Sequence, residues 1–588
     1  MTCCKLGTNP LWDIAVFWKT IIFILTPIAC LPLVLVIDSP ESRCAYGICV
    51  MAVYWVTEAI PLPVTALLPV VIFPMVGVLP AKTVATNFIK DTNLVFMGGL
   101  MVAVSIEHSD LHRRIALRVL LFMGSKPRWL LLGFMLPTWF LSMWISNTAT
   151  AAMMVPVAEA VLQQLRQGIL YPQSNNIPQR NDVELQSYRK VEPGVASKEF
   201  TPNNMESETT LALMESAMAE LDCKMKNMAK MLCLAVAYSA NIGGMATLTG
   251  TPPNLVLDNV AEDLYSSHNV ENPISFASWL PFGFPSSVIC LVLAWVWLQI
   301  LFMGKAFIGL ESADDKAAEE ESQDGISTIV REEYESLGPI RFAEGLNMVV
   351  FAALVLLWFF RGPGFMDGYD SFFKKGYVSD SVPAIFIGVL LFALPSQRPK
   401  LFCMRARGEK AESSPGLVDW HTISTRLPWG PVFILGGGFA IAAASSESGL
   451  SEYLGEQLRV FKDFPVWGIV MLISALVAGL TEIASNTAIA NITLPILAAL
   501  AESIGTHPLT LMLPATLSAS FAFMLPVATP PNAIVFSYGH LSVWDMIKAG
   551  FLMNVMCILV STLATMTWAT SFYNLDDLPW AFNSTASP

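Results

Sequence analysis

The chain has 588 residues, of which 54% are hydrophobic and only 14% charged, with a formal net charge of −13. A soluble chain carries roughly 25% charged residues. This composition therefore excludes a soluble multidomain enzyme or a secreted disulfide scaffold, and reads as an all-α polytopic membrane protein in a lipid bilayer. The negative charge also argues against nucleic acid as a partner.

Apolar stretches predict spans at 15–37, 44–60, 62–80, 92–107, 229–262, 277–303, 346–361, 383–396, 429–447, 508–545 and 548–573. The first is too long for a signal-peptide core and no small-residue cleavage site follows, so it reads as a transmembrane helix. Segment 304–345 holds 4 Lys/Arg against 11 Asp/Glu and reads as a solvated acidic loop. The ten cysteines are scattered and read as small core hydrophobes.

Regions 129–165 and 466–504 are apolar but interrupted, each by Ser-Asn-Thr: Ser146-Asn147-Thr148 and Ser485-Asn486-Thr487. The spans 229–262 and 508–545 are interrupted by Thr-Pro-Pro-Asn, at Thr251–Asn254 and Thr529–Asn532. From triplet to tetrapeptide is 105 residues in the first half and 44 in the second. The difference of 61 is the length of the polar segment 166–226. One insertion thus explains the mismatch, and a broken hairpin followed by a broken helix is used twice. Two unrelated proline kinks would not share both strings in the same order.

Lys and Arg in short loops set orientation. Segments 108–128 (Arg113, Arg114, Arg118, Lys126, Arg128) and 397–427 (Arg398, Lys400, Arg405, Arg407, Lys410, Arg426) are expected in the cytoplasm. Both fall there if the N-terminus is inside and the two interrupted regions are re-entrant hairpins entering from opposite faces. The C-terminus then lies outside, where Asn583-Ser584-Thr585 is a glycosylation sequon. Inverted repeats with broken helices at mid-membrane mark secondary transporters.

Broken helices expose N–H ends that suit an anion and C=O ends that suit Na⁺. Pro removes an N–H and disfavours helix at the preceding residue, and Asn and Thr both donate and accept. No Lys, Arg, Asp or His lies within the four strings. A multiply charged anion bound there would need bound cations, which couples the two. Glu482 either pairs near the site or is a structural, partly solvated helix carboxylate, the second being favoured. Glu58 is an intramembrane acid that pairs with backbone or a base. Gly98-Gly99 and Gly436-Gly437-Gly438 permit close helix packing. No nucleophile–base arrangement makes a case for an enzyme, and no ring of charges makes one for a channel.

The strings Leu141–Thr150, Ala246–Asn254 and Phe521–Phe536 closely resemble those of the animal sodium-coupled di- and tricarboxylate transporters of the divalent-anion/sodium symporter family. The similarity runs from about 10 to 580. It implies eleven spans plus two re-entrant hairpins, a homodimer in the plasma membrane, and elevator-type alternating access. The parts would be scaffold helices and the first helix of repeat 1 (1–128), the first hairpin (129–165), a cytoplasmic polar loop (166–226) and a broken helix (227–276). Scaffold helices follow (277–428), then a helix leading into repeat 2 (429–465), the second hairpin (466–504), the second broken helix (505–547), and the last helix with an extracellular C-terminus (548–588). One sodium site would use Ser142, Ser146, Asn147 and Gly250, the other Thr481, Ala484, Asn486 and Ala528. Substrate carboxylates would meet Asn147, Thr148, Asn486 and Thr487, with Pro252, Thr529 and Pro530 lining the pocket. Many vertebrate members have Val at the position of Thr487. Pro428-Trp429-Gly430 resembles the citrate-preferring members, although Pro431 departs from their pattern. Pro252-Pro253 favours carboxylates over sulfate. The expected function is sodium-coupled symport of succinate, citrate and related Krebs-cycle acids; the alternative is symport of sulfate or another divalent oxyanion.

Overall fold

The computed structural model describes residues 16–123, 127–170, 225–303, 330–362, 366–374, 376–398, 413–457 and 463–578. The loop 166–226 and the acidic loop lie mostly outside them, as does Asn583. Among the described residues seven helices are long and apolar enough to cross a membrane: Trp18–Ile37, Ala81–His108, Phe276–Met303, Phe342–Phe359, Trp429–Glu447, Asn486–Ile504 and Val543–Tyr573. The sequence suggests eleven spans. Part of the difference is that four apolar segments, Leu62–Met75, Ser381–Ala393, Val466–Thr481 and Pro508–Ser518, form shorter helices. The expected span 62–80 divides into Leu62–Thr65 and Pro69–Met75, the second opening on a proline at its first turn. The span expected at 429–447 is the helix Trp429–Glu447.

Two basic segments expected as loops contain helix, at Leu111–Met123 and Trp420–Arg426. Arg114 in the first is buried. Its Nε donates to Glu344 at 2.6 Å, and its other nitrogens donate to the carbonyls of Leu337 and Gly338 at 3.1 and 2.9 Å. A charge that tops a membrane helix is thus satisfied locally, as buried charges must be.

The core is built from helices that are apolar all round, the pattern of a fully surrounded helix. Every residue of Pro508–Ser518 is buried, and so is every residue from 231 to 244 in helix 225–244. Apolar residues around the periphery, such as Leu35, Val36, Val292, Leu356, Leu476 and Leu559, are exposed. That is what a bilayer permits and water does not. Cys44, Cys233, Cys290 and Cys557 are buried, as expected of core cysteines, whereas Cys49 is exposed. Gly98 and Gly437 lie where an added Cβ would stand 2.6 Å from the carbonyl carbon of Ala384 and 2.5 Å from the carbonyl oxygen of Ala66 respectively. Both therefore serve close backbone packing.

Candidate functional site

Each sequence interruption is a helix break. Pro127–Ser142 ends, and Asn147–Leu170 begins, on either side of Met143–Ser146. Val466–Thr481 and Asn486–Ile504 flank Glu482–Ser485 in the same way. Helix 225–244 stops before Pro252–Ser267, and Pro508–Ser518 stops before Pro530–Ser537. Thr251 and Thr529, the residues before each proline pair, are extended, with φ/ψ of −148/144° and −143/150°. This is the conformation that a following proline favours. Each proline then occupies the first helical turn, where its missing N–H costs nothing.

The two halves repeat the same hydrogen bonds. Ser142 Oγ lies 2.6 Å from Asn147 Oδ1 and 2.7 Å from the Ala240 carbonyl oxygen. Thr481 Oγ1 lies 2.6 Å from Asn486 Oδ1 and 2.8 Å from the Ala519 carbonyl oxygen. Asn254 Nδ2 donates to the carbonyls of Gly244 (3.2 Å) and Thr247 (2.8 Å). Asn532 Nδ2 donates to those of Ala522 (3.0 Å) and Leu525 (2.9 Å). The final Asn of each tetrapeptide thus closes the preceding loop onto its own helix, satisfying carbonyls that the break would otherwise leave bare.

The breaks meet at a cavity of about 1350 Å³. Ser146, Asn147, Thr148, Gly250, Pro252, Gly430, Ala484, Asn486, Thr487, Ala528, Thr529 and Pro530 all line it. Ser142 and Thr481 do not; they are fully buried behind Asn147 and Asn486 and touch them through their hydroxyls. The two triplet threonines differ, Thr148 being exposed and Thr487 only 7% exposed. The charged lining residues, Lys19, Glu58, Glu107 and Arg426, come from outside the four sequence strings. Glu58 ends the helix Pro40–Thr57 in a left-handed conformation and is exposed.

Glu482 corrects the sequence reading. It is structural but not partly solvated, being 2% exposed. Its Oε1 accepts from the backbone N–H groups of Phe523 and Met524 at 2.8 and 3.0 Å, and its Oε2 from Met524 and Leu525 at 3.0 and 3.1 Å. Asn554 Nδ2 donates to Oε1 at 2.7 Å. The carboxylate thus takes up the unpaired donors of the second break. At the equivalent position the first repeat has Met143, whose carbonyl accepts from Thr247 Oγ1 at 2.6 Å.

Sequence reasoning also missed Asn241, which is buried, lines the cavity and donates from Nδ2 to the Ala522 carbonyl and Thr529 Oγ1. It lies outside both repeated strings, so the repeat could not flag it.

Comparison with known proteins gives matches along nearly the whole chain. Residues 15–575 match the family described as sodium:sulfate symporter transmembrane region. The chain is 46% identical to human "Solute carrier family 13 member 2", over 96% of this chain and 95% of that protein. It is 44% identical to the mouse "Na(+)/citrate cotransporter", over 96% and 97%. With human "Na(+)/dicarboxylate cotransporter 3" the figures are 41%, over 97% and 96%.

Proposed function

The chain belongs to the sodium:sulfate symporter family, and from that premise we propose that it is a plasma-membrane symporter coupling sodium entry to uptake of di- and tricarboxylates. The relatives named as citrate and dicarboxylate cotransporters support the substrate class. The observation that carries the reading is the pair of crowded oxygen clusters behind Asn147 and Asn486. One hydroxyl proton on Ser142 faces two oxygen acceptors within 2.7 Å, and one on Thr481 faces two within 2.8 Å. A hydroxyl can donate to only one of them. Oxygens that crowd without a proton between them suit a hard cation, which takes all three as ligands. A cation at each cluster would supply the positive charge that the four strings lack, so that a carboxylate beside Asn147, Thr148, Asn486 and Thr487, with Thr529 lining the pocket, binds well only once sodium has bound. Uptake of radiolabelled succinate, citrate and sulfate, each with sodium and with choline in its place, tests this. Sodium-independent uptake of all three would overturn it, and uptake of sulfate alone would favour the oxyanion alternative.

The cavity joins the breaks to Lys19, Glu58, Glu107 and Arg426. If the basic loops are cytoplasmic, as expected, these helix ends lie on that side too, and the open cavity supports our reading of a cytoplasm-facing state of an elevator cycle between a fixed scaffold and a moving part formed by the hairpins and broken helices. Cysteines introduced at Ser174 and Ser413 are expected to resist an impermeant thiol reagent applied to intact cells and to react after permeabilisation. Labelling of either from outside would contradict this orientation.

Gly430 supports accommodation of the larger acid. It is the second residue of helix Trp429–Glu447 and lines the cavity, and a Cβ there would meet only Pro63 Cγ, at 3.1 Å. A side chain there would press on Pro63 and project into the cavity, so we read the glycine as room for ligand. Gly430→Asn is expected to lower the citrate-to-succinate uptake ratio by roughly five- to tenfold, within the about 1–3 kcal/mol that one small group changes in a pocket. Parallel loss of both substrates would make Gly430 purely structural.

A further inference from the structure

We propose that Asn241 is a positioning residue that orients the Thr529 hydroxyl toward the bound carboxylate and joins the half-site of one repeat to that of the other. The proposal rests on the carboxylate-transport reading above. Asn241 lies on helix 225–244, directly after Ala240, whose carbonyl receives the Ser142 hydroxyl at 2.7 Å. Its Nδ2 crosses to the second repeat, reaching the Ala522 carbonyl at 3.2 Å and Thr529 Oγ1 at 3.3 Å. Tyr238, one turn earlier, packs its ring edge-on to Phe523 with centroids 5.0 Å apart, and its hydroxyl points to the Phe523 carbonyl at 3.4 Å. One face of this helix therefore grips the backbone of the opposite break.

The contact to Thr529 has a chemical direction. An amide N–H that donates to a hydroxyl oxygen occupies a lone pair and leaves the hydroxyl proton for another acceptor. Thr529 lines the cavity between Ala528 and Pro530, so an oxygen of a ligand bound there is an available acceptor. A donor that is itself receiving a hydrogen bond is also the stronger donor. The arrangement is not reciprocated. In the second repeat the residue after the carbonyl acceptor Ala519 is Ser520, whose buried Oγ has no hydrogen-bond partner among the described residues. Asn241 Oδ1 is likewise buried, with no partner among the described residues.

A double-mutant cycle tests the assignment. Asn241→Ala and Thr529→Val are each expected to raise the apparent KM for succinate about five- to tenfold, the size of one hydrogen bond, with the maximal rate within about twofold once corrected for surface expression. The double variant is expected to be no worse than either single, because both remove the same interaction. Asn241→Asp keeps the size of the side chain, but its carboxylate accepts the Thr529 proton and repels the anion; its KM is expected to rise further still. Additive single effects, or losses confined to maximal rate, would overturn the proposal. If the wild type takes up no succinate, citrate or sulfate with sodium, the transport reading itself has failed, and that outcome is recognisable because it appears before any substitution is made.

Discussion

Asn147→Ala and Asn486→Ala are each expected to abolish sodium-driven succinate and citrate uptake while leaving surface expression near that of the wild type. Each asparagine opens a helix at a break, and its Oδ1 stands 2.6 Å from a buried hydroxyl. Each lines the cavity at the N-terminus of its helix, where the backbone N–H groups carry the positive end of the helix dipole. Truncation removes an oxygen from the proposed sodium cluster and a donor from the anion site together. A hydrogen bond to a charged group is worth about 1.5–3 kcal/mol, and every 1.4 kcal/mol is about tenfold in affinity. Since the anion depends on the cation, the two losses multiply, and a fall of about a hundredfold or more is expected in each variant. Thr481→Ser retains the hydroxyl and is expected to keep substantial uptake, whereas Thr481→Val is expected to lose sodium-driven uptake as Asn486→Ala does. Initial-rate uptake against sodium concentration, normalised to surface biotinylation, is the measurement. Wild-type-like uptake in either Asn variant would remove that residue from the site.

The parts legible in the sequence are those set by local chemistry. Single prolines such as Pro137, Pro156, Pro281 and Pro514 lie inside continuous helices, but the paired prolines of Thr-Pro-Pro-Asn and the polar Ser-Asn-Thr each interrupt an apolar run, so all four breaks could be placed by inspection. Repetition then identified them as one unit used twice. Elements set by distant partners were not legible. The expected span at 62–80 is a partial exception, because the division before Pro69 is a local signal that its apolar run concealed. The basic segment 108–128 reads as loop because its arginines are charged. Arg114 can enter a buried helix only because Glu344, 230 positions away, receives it. Asn241 and Asn554 carry no motif, and their importance follows from what the opposite repeat brings to them.

Glu482 shows the same limit most sharply, and its replacement is expected to have the largest effect on stability. The break after Ser518 turns three successive N–H groups, those of Phe523, Met524 and Leu525, toward one point, and the carboxylate receives all three. No Lys or Arg is paired with it among the described residues; the backbone dipoles and Asn554 Nδ2 balance its charge. Helix Val543–Ala564 closes the site from the other side, so tightly that a Cβ on Gly550 would stand 2.4 Å from the Phe523 carbonyl oxygen. Leaving a buried donor unpaired costs about 1–3 kcal/mol, so Glu482→Ala, which strands three N–H groups, is expected to cost on the order of 3–9 kcal/mol. That is comparable with the whole stability of a typical domain, about 5–15 kcal/mol. Glu482→Ala should therefore be nearly absent from the cell surface and melt far below the wild type in detergent. Glu482→Gln keeps one acceptor oxygen but turns an NH₂ group against N–H donors, and should fall between the two. Glu482→Asp keeps the charge but lacks the reach of one methylene, and should also be destabilised. Normal surface expression and melting of Glu482→Ala would show that the second break holds its shape without the carboxylate. Met143→Ala strands no backbone N–H and should cost only the truncation of a buried side chain, about 2–5 kcal/mol. Its carbonyl, not its side chain, receives Thr247, so the first break is held through the backbone and the second through an ion.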